Sequence, residues 1–325
     1  MTTAVRVTRH GGPEVLEVAD LDPGEPGPGE VRLRQTAVGL NYIDVYHRSG
    51  LYPGPEPPFV LGVEAAGVVE RAGAGVAELR PGDRVAYAGG PLGAYAAERV
   101  FPAERLVPVP DGVDDETAAA VLLKGLTVHY LLRSTYPLRG GETILVHAAA
   151  GGVGLLLCQW AAALGATVIG TVGDDAKAEL ARAHGCHHPV VYRDRDWAAE
   201  VRERTGGVGV AVVYDAVGAA TFEGSLAVLA RRGMLVSFGN ASGPPPPLDV
   251  LELSRRGSLF LTRPSLFDYV ADRDELLERA RDLFGLVAEG RLAPYVGARR
   301  PLVEAADAHR DLEARATRGS TLLVP

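Results

Sequence analysis

The sequence predicts an α/β protein of two domains, one of them built on a doubly wound parallel sheet, and three observations carry that reading. The chain has 325 residues, 47% of them hydrophobic, too long for one ordinary core and enough to fill two. Over residues 142–166 a short apolar strand, ETILVH, breaks into a small-residue turn, AAAGGVG, and then into an apolar helix, LLLCQWAAALGA. Two more strands with a helix between them follow at once, so the turn opens a β-α-β-α-β series.

Taken in order, the first 110 residues read as β: strands at 4–8, 31–38, 64–71, 84–88 and 95–101, punctuated by GEPGPGE and YPGPEPP. Arg80-Pro-Gly-Asp-Arg-Val85 has the Pro-Gly centre of a type II turn, which makes Asp83 a turn residue. GLNYIDVYHRSGLY, residues 39–52, takes helical spacing after Asn41. An N-cap there turns Tyr42, Asp44 and Tyr46 toward the strand ends, as an aromatic pocket or as a half-buried surface helix. A helical pattern over 114–136 leads into the second domain. Its later strands are 166–172, 188–192, 208–218 and 233–240, with a helix at 174–184. Four prolines, Pro244 to Pro247, precede a sixth strand, GSLFLT, at 257–262. An amphipathic helix at 272–290, a short helix at 305–316 and a strand at 321–324 close the chain.

The turn carries the first chemistry. Ala149-x-Gly151-x-x-Gly154 matches the dinucleotide fingerprint with Ala at its first place. Gly151 lets the backbone approach a pyrophosphate, Gly154 lets helix and strand pack closely, and the helix N-terminus attracts an anion.

Composition excludes other classes. Thirty-three basic against 41 acidic residues give a net charge of -8, which argues against nucleic-acid and anionic-membrane partners. No apolar run reaches the length of a membrane span and MTTAVRVTRHGG is no signal peptide, so a cytoplasmic location is expected. Two cysteines make neither a disulfide framework nor a metal cluster. Cys158 reads as a small hydrophobe, and Cys186, His187 and His188 point to opposite faces of a strand.

HGGPEVLE, NYIDVYHRSGLY, LGVEAAGVV, LKGLTVHYLLR, HAAAGGVG, VVYDAVG, SFGN and RPSL, in this order across the whole chain, resemble the zeta-crystallin-like quinone oxidoreductases, the zinc-free branch of the medium-chain dehydrogenase/reductase superfamily. The resemblance implies a GroES-like β-rich catalytic domain from residues 1–123 and 267–325 and an inserted Rossmann domain, 124–266. It also implies NADPH as cofactor between them and quinones as substrates. Where zinc-dependent members place Cys-Thr-Asp this chain has Asn41, Tyr42, Ile43 and Asp44, and where they read Gly-His-Glu it has Gly62, Val63 and Glu64. The thiolate and imidazole ligands are gone, so no metal is expected. A quinone needs no Lewis acid, because its reduced product is aromatic.

By the same resemblance Tyr42, Ile43, Asp44, Val45, Tyr46 and Tyr130 lie toward the nicotinamide, and Gly151, Gly152, Val153 and Gly154 at the pyrophosphate. Gly173, Lys177 and Tyr192 surround the adenosine ribose and its 2′-phosphate. Val217, Phe238, Gly239, Asn240, Ala241, Pro264, Ser265, Leu266 and Arg315 complete the cleft. Asn41, Tyr46 and Tyr52 are the candidates for orienting the quinone oxygen, with no proton donor assigned and hydride or single-electron transfer both open. Asp174, where an acid signals NAD, opposes the reading of Lys177 and Tyr192 as phosphate ligands, and the balance favours NADPH. Two rival functions stand beside this one: reduction of activated enones or 2-alkenals, and a non-enzymatic crystallin-like NADPH-binding or nucleic-acid-binding role. A homodimer is expected through the edge strand GSLFLT, since a bare apolar edge invites pairing.

Overall fold

Alternation of buried and exposed side chains shapes the N-terminal strands, and continuous apolar runs shape those that follow. The computed structural model describes residues 1–193 and 195–325. In chain order the first elements are β1 (Thr2–Val7), β2 (Leu16–Leu21), β3 (Glu30–Leu40), α1 (Tyr42–Ser49), β4 (Phe59–Val60), β5 (Glu64–Ala72), β6 (Arg84–Ala88), β7 (Glu98–Pro102), β8 (Val107–Pro108) and α2 (Asp115–Tyr130). Next come β9 (Thr143–Val146), α3 (Gly152–Ala163), β10 (Thr167–Val172), α4 (Asp175–Ala183), β11 (His188–Val191), α5 (Trp197–Arg204), β12 (Val210–Asp215), α6 (Phe222–Ala227), β13 (Leu229–Ser237), α7 (Leu251–Arg255), β14 (Phe260–Thr262) and α8 (Leu266–Tyr269). The chain closes with α9 (Arg273–Ala288), β15 (Val296–Pro301), α10 (Ala305–Glu313) and β16 (Ser320–Val324).

The chain divides into two units, Met1–Leu126 with Val270–Pro325, and Thr127–Tyr269. In the first, β2-β1-β4 form a small sheet, and β15-β16-β3-β5-β6-β8 form a larger one with β7 also on β3. Leu33, Leu61, Tyr87, Phe101, Leu302 and Leu323 meet in its core. In the second unit the order is β11-β10-β9-β12-β13-β14, and every pairing is parallel. That order reverses between β9 and β12, the crevice where such sheets bind ligands. Leu145, Ile169, Val190, Val213 and Leu235, one from each of five strands, are buried together.

Several expectations are corrected. The strand expected at 95–101 is split: Ala96 makes an isolated bridge to Ala4, and β7 begins only at Glu98. The helix expected to reach Tyr136 gives way after Tyr130 to a π-helical turn, Leu131–Thr135. The sixth strand is only Phe260–Thr262, because Gly257 and Ser258 take positive φ. β2, β15, α5 and α6 were not expected at all.

Candidate active site

In the second unit the chain leaves β9, turns at Ala148 with φ 52, and enters α3, whose start has no side-chain cap. The first N–H groups of α3, at Gly152, Val153 and Gly154, have no partners inside the helix and form an anion-binding end. A Cβ on Gly154 would collide with the Ala148 carbonyl and Ala149 Cα, so only glycine lets the helix start this close to its strand. The cradle fits a dinucleotide pyrophosphate.

At the ends of β10 and β11 the structure brings together Gly173, Asp174, Lys177 and Tyr192. An added Cβ on Gly173 would stand 3.3 Å from the Tyr192 hydroxyl, so the missing side chain keeps that place open. The Asp174 carboxylate accepts the Lys177 backbone N–H at 2.8 Å and caps α4. The acid that counted against a 2′-phosphate is thus engaged at its own helix start.

Sequence reasoning missed the residue that holds the crevice together. Asp215, 1% exposed at the end of β12, accepts the backbone N–H of Val217 at 2.7 Å and of Gly218 at 3.0 Å, the Thr221 hydroxyl at 2.7 Å and the Ser225 hydroxyl at 3.0 Å. Its carbonyl also accepts the N–H of Phe238, at 2.8 Å. His147 continues the network, with Nε2 3.0 Å from Ser225 and Nδ1 2.8 Å from Thr171, and burial lowers its pKa. Of the expected loop residues, Val217 is tied to the Asp215 carboxylate, Phe238 and Gly239 to the Asp215 carbonyl, and Ala241 to the carbonyl of Ala216. The available signal was an acid between a buried strand and a small-residue turn, YDAVG. Pro264 and Ser265 lead into α8, where Leu266 is buried. Tyr130 is also buried, stacked on Tyr269 at 4.4 Å.

In the first unit α1 presents the other expected residues. Tyr46 packs against Tyr52 at 4.9 Å and Tyr42 at 6.0 Å between ring centroids, and Tyr42 donates its hydroxyl to the Leu312 carbonyl. Arg315 follows α10 with φ 58. Ile43 is half-buried and Val45 buried, so little of Val45 can meet a ligand. Asp44 does not turn outward as expected. It is 0% exposed, its Oδ2 accepting the Asn41 N–H at 2.8 Å and the Tyr95 hydroxyl at 3.1 Å, while Oδ1 has no partner among the described residues. Burial pushes its pKa up to about 7. Behind Tyr95 lies His309, whose Nδ1 faces Arg48 at 2.9 Å and must accept, since arginine only donates. Nε2 then carries the hydrogen toward the Tyr95 oxygen, 3.0 Å away. Burial and then the Arg48 charge lower the His309 pKa to about 3.

Asn41 departs furthest from expectation. Its Nδ2 donates to Glu64 Oε2 at 2.8 Å and to the Gly39 carbonyl at 3.2 Å, so both amide hydrogens are spent and none is left for a substrate oxygen. Glu64 also accepts the Leu123 N–H at 2.7 Å and the Lys124 ammonium at 3.0 Å. Neither Glu64 nor Lys124 was singled out from sequence. Among the described residues no three His, Cys, Asp or Glu side chains are grouped to hold a metal, and Asn41 and Val63 bring neither thiolate nor imidazole to the zinc positions.

A β-rich unit made from both chain ends, with a doubly wound dinucleotide-binding unit inserted, defines a medium-chain dehydrogenase/reductase. The zinc-binding dehydrogenase family model matches residues 152–279 and the alcohol dehydrogenase GroES-like domain residues 27–111. The chain is 54% identical to a quinone oxidoreductase of Pseudomonas aeruginosa and 48% identical to a 2-haloacrylate reductase of Burkholderia; 100% of this chain is covered in both, with 100% and 99% of the relatives. It superposes on the crystal structure of Escherichia coli quinone oxidoreductase complexed with NADPH with a TM-score of 0.97 and 48% identity, over 99% of this chain and 100% of that one. The chain belongs to the quinone oxidoreductase family.

Proposed function

We propose that the protein is an NADPH-dependent quinone reductase that works without a metal. The observation that carries this is the end-to-end likeness to a quinone oxidoreductase solved with NADPH, joined to an uncapped α3 start and a close-packed Gly154 that suit a pyrophosphate. Bound NADPH would supply the hydride. The chain's own residues bind and orient: the α3 N–H groups hold the pyrophosphate, Gly173, Lys177 and Tyr192 take the phosphorylated ribose, and Asp215 fixes the loops of Val217 and Phe238. Tyr46 and Tyr52 form the aromatic wall for a flat acceptor. Positioning supplies most of the catalysis, because a quinone gains aromaticity on reduction.

The likeness to a 2-haloacrylate reductase favours activated alkenes as a second substrate class. Following NADPH absorbance with benzoquinones and 2-alkenals side by side tests both. Turnover of alkenals alone would move the assignment to the alkene class, and no turnover of either would end it. No helix among the described residues is long and apolar enough to cross a membrane. A homodimer through β14 is part of the proposal: this edge strand exposes Phe260 at 55% and Leu261 at 37%.

A further inference from the structure

We infer that Lys124 is the cation that meets the acceptor's carbonyl oxygen, held for that task by Glu64 beside Asn41. The inference rests on the quinone-reductase reading and supplies the charge-stabilising group that reading lacks. Three facts about the cluster carry it.

The first is its construction. A lysine is seldom buried, yet Lys124 is only 4% exposed, with its ammonium 3.0 Å from Glu64 Oε2. The same oxygen takes the Asn41 amide at 2.8 Å, so ammonium and amide are neighbours on one anchor. Room for that anchor comes from Gly39, where a Cβ would collide with Glu64 and with the Ala119 carbonyl. Burying an ion pair costs desolvation that apolar side chains of the same volume avoid, so a merely structural filling gains nothing from these charges.

The second is what the cluster offers. Glu64 is 0% exposed and its oxygens are taken, whereas Lys124 and Asn41 keep 4% and 7% of their surface. Asn41 has spent its hydrogens on Glu64 and Gly39. Among the described residues the ammonium bonds only Glu64, and its other N–H bonds are the donors left at this place.

The third is position. Asn41 and Val63-Glu64 stand where zinc-dependent members of the superfamily place their thiolate and imidazole ligands, and a metal there polarises the substrate oxygen. Here the positive charge that shares Glu64 with Asn41 is an ammonium. Reduction brings one hydrogen and an electron pair to the acceptor and leaves negative charge on its oxygen. Lys124 Nζ–H donates to that oxygen and passes it the one proton that completes the hydroquinone, and the amine recovers a proton from water. A preorganised cation at a developing oxyanion is among the largest single contributions an active site makes.

The test uses 4-nitrophenolate as a stand-in for the hydroquinone monoanion, bound to the enzyme with NADP+ and read by its absorbance shift. Wild type and Lys124→Arg are expected to bind it, and Lys124→Met to bind roughly tenfold more weakly or worse. Turnover of benzoquinone by Lys124→Met is expected to fall about 100-fold in kcat, with KM for NADPH within about twofold. The loss should be larger for a 2-alkenal, whose oxygen gains no aromatic relief. Because Lys124→Met strands the Glu64 charge, the double variant Glu64→Gln/Lys124→Met, neutral and checked for folding by circular dichroism, is measured beside it. Nitrophenolate affinity and kcat within about twofold of wild type in the folded double variant would overturn the inference, as would a wild type that does not bind the phenolate. A wild type that binds phenolate through Lys124 but reduces no quinone would leave the anion site standing and remove only the quinone reading.

Discussion

Asp44→Asn tests how the floor beneath α1 is charged. The wild-type carboxyl is fully buried, has one oxygen without a partner among the described residues, and is pushed by burial from 3.8 to about 7. Between those values the folded protein holds a proton that the unfolded chain has released, so this group's stabilisation is complete below pH 3.8 and lost as pH rises through 7. From pH 5 to pH 8 only the two units up to the folded pKa count, and the wild type loses about 3 kcal/mol at 1.36 kcal/mol per unit. Asparagine cannot titrate. It keeps an acceptor for Asn41 N–H and Tyr95, and its stranded amide group costs about 1–3 kcal/mol at every pH. That cost cancels in the comparison, so the stability difference, variant minus wild type, should rise by about 3 kcal/mol between pH 5 and pH 8. His309, depressed to about 3, adds the opposite slope, stability gained as pH rises from 3 toward the ordinary 6.5, but both proteins share it. The assay is urea unfolding by circular dichroism, because both tryptophans, Trp160 and Trp197, lie in the other unit and their fluorescence would report on it. Parallel pH curves, or a variant that loses ground at pH 8, would refute the reasoning and make Asp44 an ordinary ionised carboxylate.

Cofactor choice is tested by kcat/KM for NADPH and NADH. Lys177→Ala should lose about tenfold or more in preference for NADPH, matching a charge-assisted contact of roughly 1.5–3 kcal/mol, and equal use of both cofactors by the wild type would contradict this. Asp174→Ala should cost about 1 kcal/mol in stability through the lost α4 cap, with NADPH still preferred; a switch from NADH to NADPH on this change would show the acid reads the ribose. Purified enzyme should keep its activity after dialysis against a chelator, and stoichiometric zinc with activity lost on chelation would count against metal-free catalysis. Leu261→Pro should raise the dimer dissociation constant in sedimentation, because proline takes one backbone N–H out of the edge strand β14; a dimer unmoved by it would place the interface elsewhere.

The second unit was legible because its signals are local. The central parallel strands β9 and β12 are mostly apolar runs, and the Ala149-Gly151-Gly154 spacing fixes a turn whose sterics depend on neighbours in sequence. α5 escaped notice because WAAEVRER is polar on most sides and owes its start to the Asp196 cap, and α6 is only six residues long. β2 and β15 are half-exposed throughout, so their register comes from partners, not from pattern. At the site, residue types pointed correctly to α1, but side-chain direction did not follow. Asp44 and Asn41 face inward because Tyr95 and Glu64, 51 and 23 residues further on, offer the bonds they need. The Lys124–Glu64 pair joins residues 60 apart, and nothing near either predicts the other.

β16 has a consequence for how the protein is made. It lies between β15 and β3, inside the larger sheet, and its Leu322 and Leu323 are wholly buried. The sheet begun by residues 30–40 therefore waits for a strand about 280 residues further along the chain, while every strand of the second unit has emerged by Thr262. Synthesis at roughly 5–20 residues per second leaves β3 without this neighbour for many seconds. The inserted unit then has all its strands before its host sheet is complete. Nascent chains arrested before Ser320 should show the second unit resistant to protease and the first still cut within β3, and early protection of β3 would exclude this order of assembly.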